Sequence, residues 1–274
     1  MSETIKIGDL QVKRLGFGAM RVCGPNVWGP PRDRGHAHAV LRRAVALGVN
    51  FFDTADSYGP HVDEELIAEA LHPYPRDFVI ATKGGLLRPR PGAWDPDGRP
   101  EHLKTAIDGS LKRLKLERID LYQLHAPDSK VPFADSVGAL AEAQKAGKIR
   151  HVGVSNVTVK QLEEARKICP IVSVQNEYNL GERASEPVLK ACEKLGIAFL
   201  PWYPLGAGSV IKQEKVKSIA RKLHATGAQV ALAWLLRKSP VMLPIPGTSS
   251  IEHLQKNCAA AELALSDRDF EALS

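Results

Sequence analysis

The chain has 274 residues, 44% hydrophobic and 25% charged, and its 37 Lys and Arg against 31 Asp and Glu give a formal charge of +6. The positive residues are scattered singly with no nucleic-acid-binding motif, no apolar run reaches the ~18 residues of a membrane span, and the N-terminus lacks a signal-peptide core. We therefore expect a cytoplasmic protein that binds neither nucleic acid nor a membrane.

Short apolar runs alternate with longer amphipathic stretches along the chain. A hairpin is predicted first, with residues 5–7 and 12–14 flanking a turn at Gly8 and Asp9. Strands are then predicted at 15–17, 50–53, 78–83, 119–125, 151–155, 171–175, 197–201 and 241–245. Helices are predicted at 37–47, 64–71, 101–114, 133–146, 159–168, 186–195, 213–223, 229–236 and 251–261. This alternation is typical of βα units that form a parallel sheet.

The chain length and the missing dinucleotide fingerprint favour a barrel over a doubly wound sheet. A (β/α)8 barrel commonly takes about 250 residues as one domain. Gly16 and Gly18 lack the third glycine of a GxGxxG turn, and the stretch from Gly206 to Gly208 does not open a helix directly. We expect an α/β fold over residues 1–274, a single (β/α)8 TIM barrel with an N-terminal β-hairpin.

Cysteines and histidines do not indicate a disulfide framework or a metal site. The four cysteines are far apart and form no CxxC pair. The histidines form no HExxH motif, and His36 and His38 are spaced so that they cannot share one helical face. We expect reduced thiols and no metal.

Reactive side chains end three successive predicted strands. Active sites of (β/α)8 barrels lie at the carboxyl ends of the strands. Asp53 ends the second strand, Lys83 the third and His125 the fourth, and Tyr58 follows Asp53 by five residues. Each residue alone would more often cap, pack or be solvated, so the combination is what points to chemistry.

An inward-facing cluster of this kind predicts acid chemistry at an oxygen atom. Unpaired burial would cost each charge several kcal/mol, so Lys83 and Asp53 should pair. We expect the Lys83 ammonium to lower the Tyr58 pKa from about 10 and to improve Tyr58 as a proton donor. A neutral His125 can donate a hydrogen bond to a substrate carbonyl.

Seven segments together resemble the aldo-keto reductases in order and spacing. They are GFGAM, GVNFFDTADSYG, IATKGG, IDLYQLHAPD, GKIRHVGVSN, VQNEYN and IPGTSSIEHLQKN. The resemblance implies an oxidoreductase that reduces an aldehyde or ketone to an alcohol by hydride transfer from NADP(H), with NAD(H) as the alternative. It implies Asp53, Tyr58, Lys83 and His125 as the catalytic residues, with Tyr58 as the general acid.

The resemblance also implies a cofactor site on the later strands. Ser155, Asn156 and Gln175 match positions that hydrogen-bond the nicotinamide carboxamide, and Trp202 stands where the family usually stacks a Tyr on the ring. The other implied cofactor-binding residues are Tyr203, Leu205, Gly206, Gly208, Gly247, Thr248, Ser249, His253, Lys256 and Asn257.

Departures from the family pattern concern the cofactor's 2′-phosphate. Many members bind it with a Lys and an Arg, where this chain has Gly247 and His253, and Lys256 stands where an acidic or amide group often meets the adenine. A missing Arg removes the strongest phosphate contact. NADP(H) is still expected through Thr248, Ser249 and Lys256, although the two hydroxyls could simply cap the next helix.

The tail after the last predicted helix is short compared with many members of the family. We therefore expect an open pocket for a small carbonyl substrate, walled by Met20, Arg21, Trp28 and, from the 86–100 loop, Trp94; packing alone is the alternative for the tryptophans. Similar short-tailed members include pyridoxal-type and general aldehyde reductases. We also expect a monomer.

Two other functions stay open on the sequence alone. One is a redox-sensing binding module that retains cofactor without turnover. The other is a non-redox barrel enzyme that uses Asp53 and Lys83 for acid–base or Schiff-base chemistry, and this one predicts no response to NADPH.

Overall fold

The computed structural model describes residues 3–274, which begin with the predicted antiparallel hairpin. Its strands β1 (Thr4–Ile7) and β2 (Leu10–Lys13) are joined by the turn at Gly8 and Asp9. Ile7 and Leu10 share one apolar cluster with the first residues of several barrel strands. The hairpin therefore closes the amino end of the barrel.

A parallel sheet forms the centre of the fold. The remaining strands are β3 (Phe17–Gly18), β4 (Phe51–Asp53), β5 (Val79–Gly84), β6 (Leu86–Leu87), β7 (Asp95–Pro96), β8 (Ile119–Leu124), β9 (Ile149–Ser155), β10 (Ile171–Glu177) and β11 (Ala198–Trp202). Strands β6 and β7 form a short second hairpin, which the sequence did not predict. The other seven form one sheet in the order β3-β4-β5-β8-β9-β10-β11, and neighbouring strands run parallel.

Residues 241–245 close this sheet into a barrel. On one side the Leu243 N–H donates to the Phe199 carbonyl at 2.9 Å, and on the other the Gly16 N–H donates to the Pro244 carbonyl at 2.9 Å. The predicted eighth strand is therefore in place but is not a regular strand, because Pro244 has no N–H to donate to a ladder. The expected α/β barrel is confirmed.

Helices surround the sheet on its outer face. They are α1 (Arg34–Ala46), α2 (Val62–Leu71), α3 (Pro100–Leu114), α4 (Phe133–Lys145), α5 (Val159–Ile168), α6 (Glu186–Leu195), α7 (Glu214–Lys222), α8 (Gly227–Lys238), α9 (Ile251–Ala259) and α10 (Asp267–Leu273). The first nine match predicted helices within three residues, whereas α10 was not predicted. Within residues 3–274, no helix combines the length and apolar character needed to cross a membrane.

Apolar side chains cover both faces of the barrel strands. Phe51 and Val79 point into the barrel toward the hairpin, and their chain neighbours Phe52 and Ile80 pack outward with α1 and α2. Burial on both faces explains why these strands are continuous apolar runs. Polar side chains are left for the carboxyl ends, where the strands open toward the loops.

Candidate active site

Asp53, Tyr58, Lys83 and His125 lie together at the carboxyl end of the barrel. Asp53 ends β4, Lys83 lies near the end of β5 and His125 follows β8, and these three strands are neighbours in the sheet. The Lys83 Nζ donates to Asp53 Oδ2 at 2.8 Å and to the Tyr58 hydroxyl at 3.3 Å. All four residues are buried. Strand alternation therefore correctly predicts that they come together.

Lys83 and Asp53 make further hydrogen bonds besides the ion pair between them. Lys83 also donates to the Thr54 carbonyl at 2.9 Å, and the second Asp53 oxygen accepts from Gln175 Nε2 at 2.8 Å. A buried ion pair is tolerated when further hydrogen bonds satisfy its remaining donors and acceptors. The pair is therefore a fixed, nearly neutral unit beneath Tyr58.

The expected lowering of the Tyr58 pKa is wrong for this arrangement. Burial raises the pKa of Tyr58 well above its ordinary value, and the Asp53 carboxylate raises it further. The Lys83 ammonium donates to the phenol, but its charge is balanced by Asp53 and does not offset the effect of burial on the Tyr58 pKa. Tyr58 is thus a neutral phenol near pH 7.

The imidazole of His125 is neutral near pH 7. Burial lowers the pKa of His125 well below its ordinary value, and the positive charges of Lys83 and Arg88 lower it further. Its Nδ1 lies within hydrogen-bond distance of the Ser57 hydroxyl at 3.3 Å, and its ring meets that of Tyr58 edge to face at 5.7 Å. A neutral, oriented imidazole is suited to hydrogen-bonding a carbonyl oxygen.

A cavity of about 260 Å³ opens beside Asp53, Tyr58 and His125. It brings together many of the other residues that the sequence indicated. These are Met20, Arg21, Trp94, Ser155, Asn156, Gln175, Trp202, Tyr203, Leu205 and Gly247. The cavity therefore gives a small molecule access to the Tyr58 hydroxyl.

Amide and indole groups form one wall of the cavity. Asn156 Nδ2 donates to the His125 carbonyl at 2.9 Å, and the Trp202 indole N–H donates to Asn156 Oδ1 at 3.0 Å. The Ser155 hydroxyl donates to the Gln175 carbonyl at 2.7 Å. These bonds fix the planes of the side chains, so the wall offers oriented donors and acceptors to an amide-bearing ring.

Two glycines line the cavity where no side chain would fit. A Cβ atom at Gly247 would lie 2.6 Å from the Gly18 carbonyl oxygen, and one at Gly18 would lie 2.6 Å from the Ile245 carbonyl oxygen. Bare backbone at this surface allows a ligand to approach closely. Together with the amide wall and Trp202, the surface fits a nicotinamide ring.

The model of the Aldo/keto reductase family matches residues 14–274. The chain belongs to this family. Pyridoxine 4-dehydrogenase of Escherichia coli is 46% identical to it, over 99% of this chain and 97% of the relative. An uncharacterized oxidoreductase of Schizosaccharomyces pombe is 49% identical, over 98% of this chain and 88% of the relative.

Solved structures agree with this assignment. An aldo-keto reductase from Klebsiella pneumoniae in complex with NADPH has a TM-score of 0.85 and 26% identity, covering 100% of this chain and 94% of that chain. The chain is therefore an oxidoreductase of a family that uses a nicotinamide cofactor.

In this aldo/keto reductase, the turn after β11 carries the next implied cofactor-binding residues. Tyr203 is 41% exposed and follows the strand directly, and Leu205 borders the cavity. Gly206 and Gly208 begin and end a 3₁₀ turn, and both have positive φ angles. The turn lies beside the cavity and leaves backbone open to a phosphate group.

The residues implied at the adenosine end lie around the start of α9. Ser250 caps the helix, since its hydroxyl accepts from the His253 N–H at 3.3 Å; the cap is not Thr248 or Ser249. Thr248 Oγ1 instead accepts from the Ser250 N–H at 3.0 Å, and the Ser249 carbonyl lies 2.8 Å from a ring nitrogen of His36.

Further along α9, one of the implied cofactor-binding residues, Lys256, is already in an ion pair. Lys256 Nζ donates to Glu252 at 2.5 Å, whereas Asn257 is buried. His253 and Lys256 are exposed, and neither lines the cavity beside Tyr58.

The two tryptophans expected as substrate contacts lie in different places. Trp94 lines the cavity, and its ring centre is 6.2 Å from that of Tyr58. Trp28 lies outside the cavity lining, where its backbone bridges to Gly59.

Sequence reasoning missed Arg88, whose guanidinium lies 3.6 Å from the Trp94 ring centre. A single Arg in a loop has no periodicity or spacing from which this contact with Trp94 could have been predicted.

The four cysteines are free thiols. Burial raises the pKa of the Cys169 thiol to about 11 and that of Cys192 to about 12, so neither is a thiolate near pH 7. In the part of the chain that the structure describes, no three His, Cys, Asp or Glu side chains are placed to hold a metal ion.

Proposed function

We propose that this enzyme reduces an aldehyde or ketone to an alcohol with NADP(H), and that Tyr58 is the general acid. The observation that carries the proposal is the Tyr58 hydroxyl, held 3.3 Å from a Lys83 ammonium that is itself paired with Asp53 at 2.8 Å. This hydroxyl borders a cavity that Asn156, Gln175 and Trp202 also line.

The residues that would hold the cofactor follow from the cavity walls. Ser155, Asn156 and Gln175 would contact the carboxamide of the nicotinamide, and Trp202 would lie beside its ring. When bound, the reduced nicotinamide supplies the hydride that the carbonyl carbon accepts. Gln175 already donates to Asp53 at 2.8 Å, so it would connect this end of the cofactor to the Lys83–Asp53 pair.

The rest of the cofactor would extend past the turn after β11 toward α9. Tyr203, Leu205, Gly206 and Gly208 would contact the pyrophosphate, and the loop from Gly247 to Ser249 would place hydroxyls and backbone N–H groups beside the 2′-phosphate. His253, Lys256 and Asn257 would contact the adenosine end. The NADPH complex of the Klebsiella pneumoniae structure supports NADP(H) over NAD(H).

The protein's own groups would complete the reduction at the oxygen atom. A carbonyl oxygen placed between Tyr58 and His125 gains negative charge as the carbon is reduced, and Tyr58 then donates its proton to it. The Lys83 ammonium stabilises the phenolate that remains. A neutral His125 orients the carbonyl and stabilises the developing charge, and a site shielded from water strengthens both interactions.

The competing reading as a Schiff-base enzyme is disfavoured by the position of Lys83. Its side chain is fully buried and donates three hydrogen bonds, and it does not line the cavity. A lysine that forms a Schiff base needs a free amine that reaches the substrate. Neither condition is met here.

The test is a side-by-side assay of NADPH and NADH oxidation with a panel of carbonyl compounds. The panel includes pyridoxal, because the 46%-identical relative is a pyridoxine 4-dehydrogenase, together with a small aliphatic aldehyde. We expect NADPH to be oxidised faster than NADH with at least one aldehyde. Oxidation of neither cofactor with any carbonyl compound would overturn the proposal.

Four further expectations accompany the proposed function. A single domain, a monomeric state and a cytoplasmic location stay predictions, and so does a small carbonyl compound as the partner molecule. Size-exclusion chromatography with light scattering checks the second of them directly, with one chain of 29.9 kDa as the expected mass.

A further inference from the structure

Arg88 is a buried positive charge without a carboxylate partner. The residue is 8% exposed, and among residues 3–274 no carboxylate oxygen lies within 4.0 Å of its guanidinium nitrogens. Its Nε has no hydrogen-bond partner in this part of the chain. An uncompensated buried charge is costly, so the position of this side chain calls for a reason.

The guanidinium of Arg88 joins two loops beside the proposed general acid. Its Nη1 donates to the Val27 carbonyl at 3.0 Å and to the Ser57 carbonyl at 3.2 Å, and its Nη2 donates to the Asn26 carbonyl at 3.4 Å. Ser57 directly precedes Tyr58 in the chain. One side chain therefore fixes the loop before α1 and the segment that carries the phenol.

The loop that Arg88 holds has a strained backbone. Asn26 and Val27 both have φ angles of 57°, in the left-handed region, where a β-branched residue such as Val27 is strongly disfavoured. Such strain persists only where surrounding contacts hold it, and it is often found at functional sites. Arg88 supplies contacts to the carbonyls of both strained residues.

The same guanidinium covers the ring of Trp94. Its carbon atom lies 3.6 Å from the ring centre, which is a close cation–π stack. Trp94 is 36% exposed and lies in the loop between β6 and β7, and its ring is edge-on to those of Tyr58 and His125. Without this stack, few contacts would fix the ring at the cavity wall.

We propose that Arg88 is a positioning and specificity residue that fixes Trp94 and the segment carrying Tyr58. By fixing them, it favours carbonyl compounds attached to a flat aromatic ring over small aliphatic ones. The reason is geometric, since a fixed indole offers a flat wall against which an aromatic substrate packs, and a small aliphatic aldehyde leaves this wall unused. The inference rests on the proposed carbonyl reduction.

The test compares kcat and KM for benzaldehyde and propanal across a set of variants. In Arg88→Met, the ratio of the two kcat/KM values, aromatic over aliphatic, should fall about 3- to 10-fold, mainly through a higher KM for benzaldehyde. Trp94→Ala should give a similar fall, and the double variant should add little to either. Arg90→Met, which removes an exposed arginine from the same loop, should leave the ratio unchanged.

Arg88→Lys keeps the charge but cannot donate to three carbonyls while stacking flat on the indole. We expect it to lower the ratio as well, which also provides a test if Arg88→Met does not fold. An unchanged ratio in a folded Arg88 variant, with both aldehydes slowed equally, would overturn the inference and leave a purely structural arginine. The proposed function is judged separately, since it fails only if the unaltered enzyme reduces no carbonyl compound of the panel described above.

Discussion

The two ends of the proposed cofactor site are built in different ways. At the carbonyl end, buried side chains are held by several partners each, as in the Lys83–Asp53 pair. At the α9 end, His253 and Lys256 are exposed, and Lys256 is paired with Glu252 across one turn of the helix. Under the proposed function, the chemistry would depend on fixed buried groups, whereas the choice of cofactor would depend on exposed charges that are each worth little.

The largest expected effect concerns the buried pair. Lys83→Met leaves the Asp53 carboxylate buried and uncompensated, which should lower the free energy of unfolding by about 3–5 kcal/mol and remove most activity. Urea unfolding measures the stability loss. Adding Asp53→Asn should recover part of the stability but no activity, and a single variant as stable as the unaltered enzyme would contradict the importance of the pair.

A smaller effect is expected from His125 as the pH falls. Because its pKa is lowered well below the ordinary value in the folded protein, the unfolded chain binds more protons below about pH 6.5. The His125 contribution to stability is therefore present above this pH and is lost as the pH falls below it. In His125→Asn, the drop in unfolding free energy between pH 7.5 and 5.5 should be smaller.

The exposed His224 provides a matched control for this pH dependence. His224→Asn removes an exposed imidazole and should leave the drop unchanged. Equal pH dependence in His125→Asn and the unaltered enzyme would show that the imidazole is not held neutral by its surroundings.

The smallest expected effect lies at the α9 end. Glu252→Gln frees the Lys256 ammonium, and because exposed ion pairs are worth about 0.2–1 kcal/mol, the Kd for NADPH should fall about 1.5- to 5-fold. Fluorescence titration measures the Kd for NADPH, and the Kd for NADH is the comparison. Glu262→Gln, which alters another exposed glutamate, is the control. An equal change for both cofactors would show that Lys256 does not contact the 2′-phosphate.

The sequence predicts the carbonyl end better than the α9 end, for a physical reason. Strand alternation and strand order determine that Asp53, Lys83 and His125 meet at one edge, and the structure confirms it. At α9, the i, i+4 spacing of Glu252 and Lys256 permits the ion pair that the structure shows, but it does not show whether Lys256 prefers Glu252 or a phosphate group. An exposed side chain can adopt several rotamers, and its local partners determine which one it takes.

Other features depend on tertiary contacts that a sequence pattern does not contain. The 241–245 strand is irregular because of Pro244, and the α10 helix is too short for periodicity to detect. The error on the Tyr58 pKa has the same origin, since the sequence predicts the Lys83–Asp53 pair but not the depth of burial, which raises the pKa of Tyr58 most. The contacts of Arg88 and the position of Trp28 outside the cavity lining also follow from tertiary packing.

Tyr58→Phe tests the central claim most directly, because it removes one hydroxyl and keeps the buried ring. Single-turnover reduction of an aldehyde and binding of NADPH are measured on the same preparation. The account predicts a rate lower by about 10²–10⁴-fold with the NADPH Kd changed by less than about twofold. A rate within about threefold of the unaltered enzyme would contradict Tyr58 as the general acid.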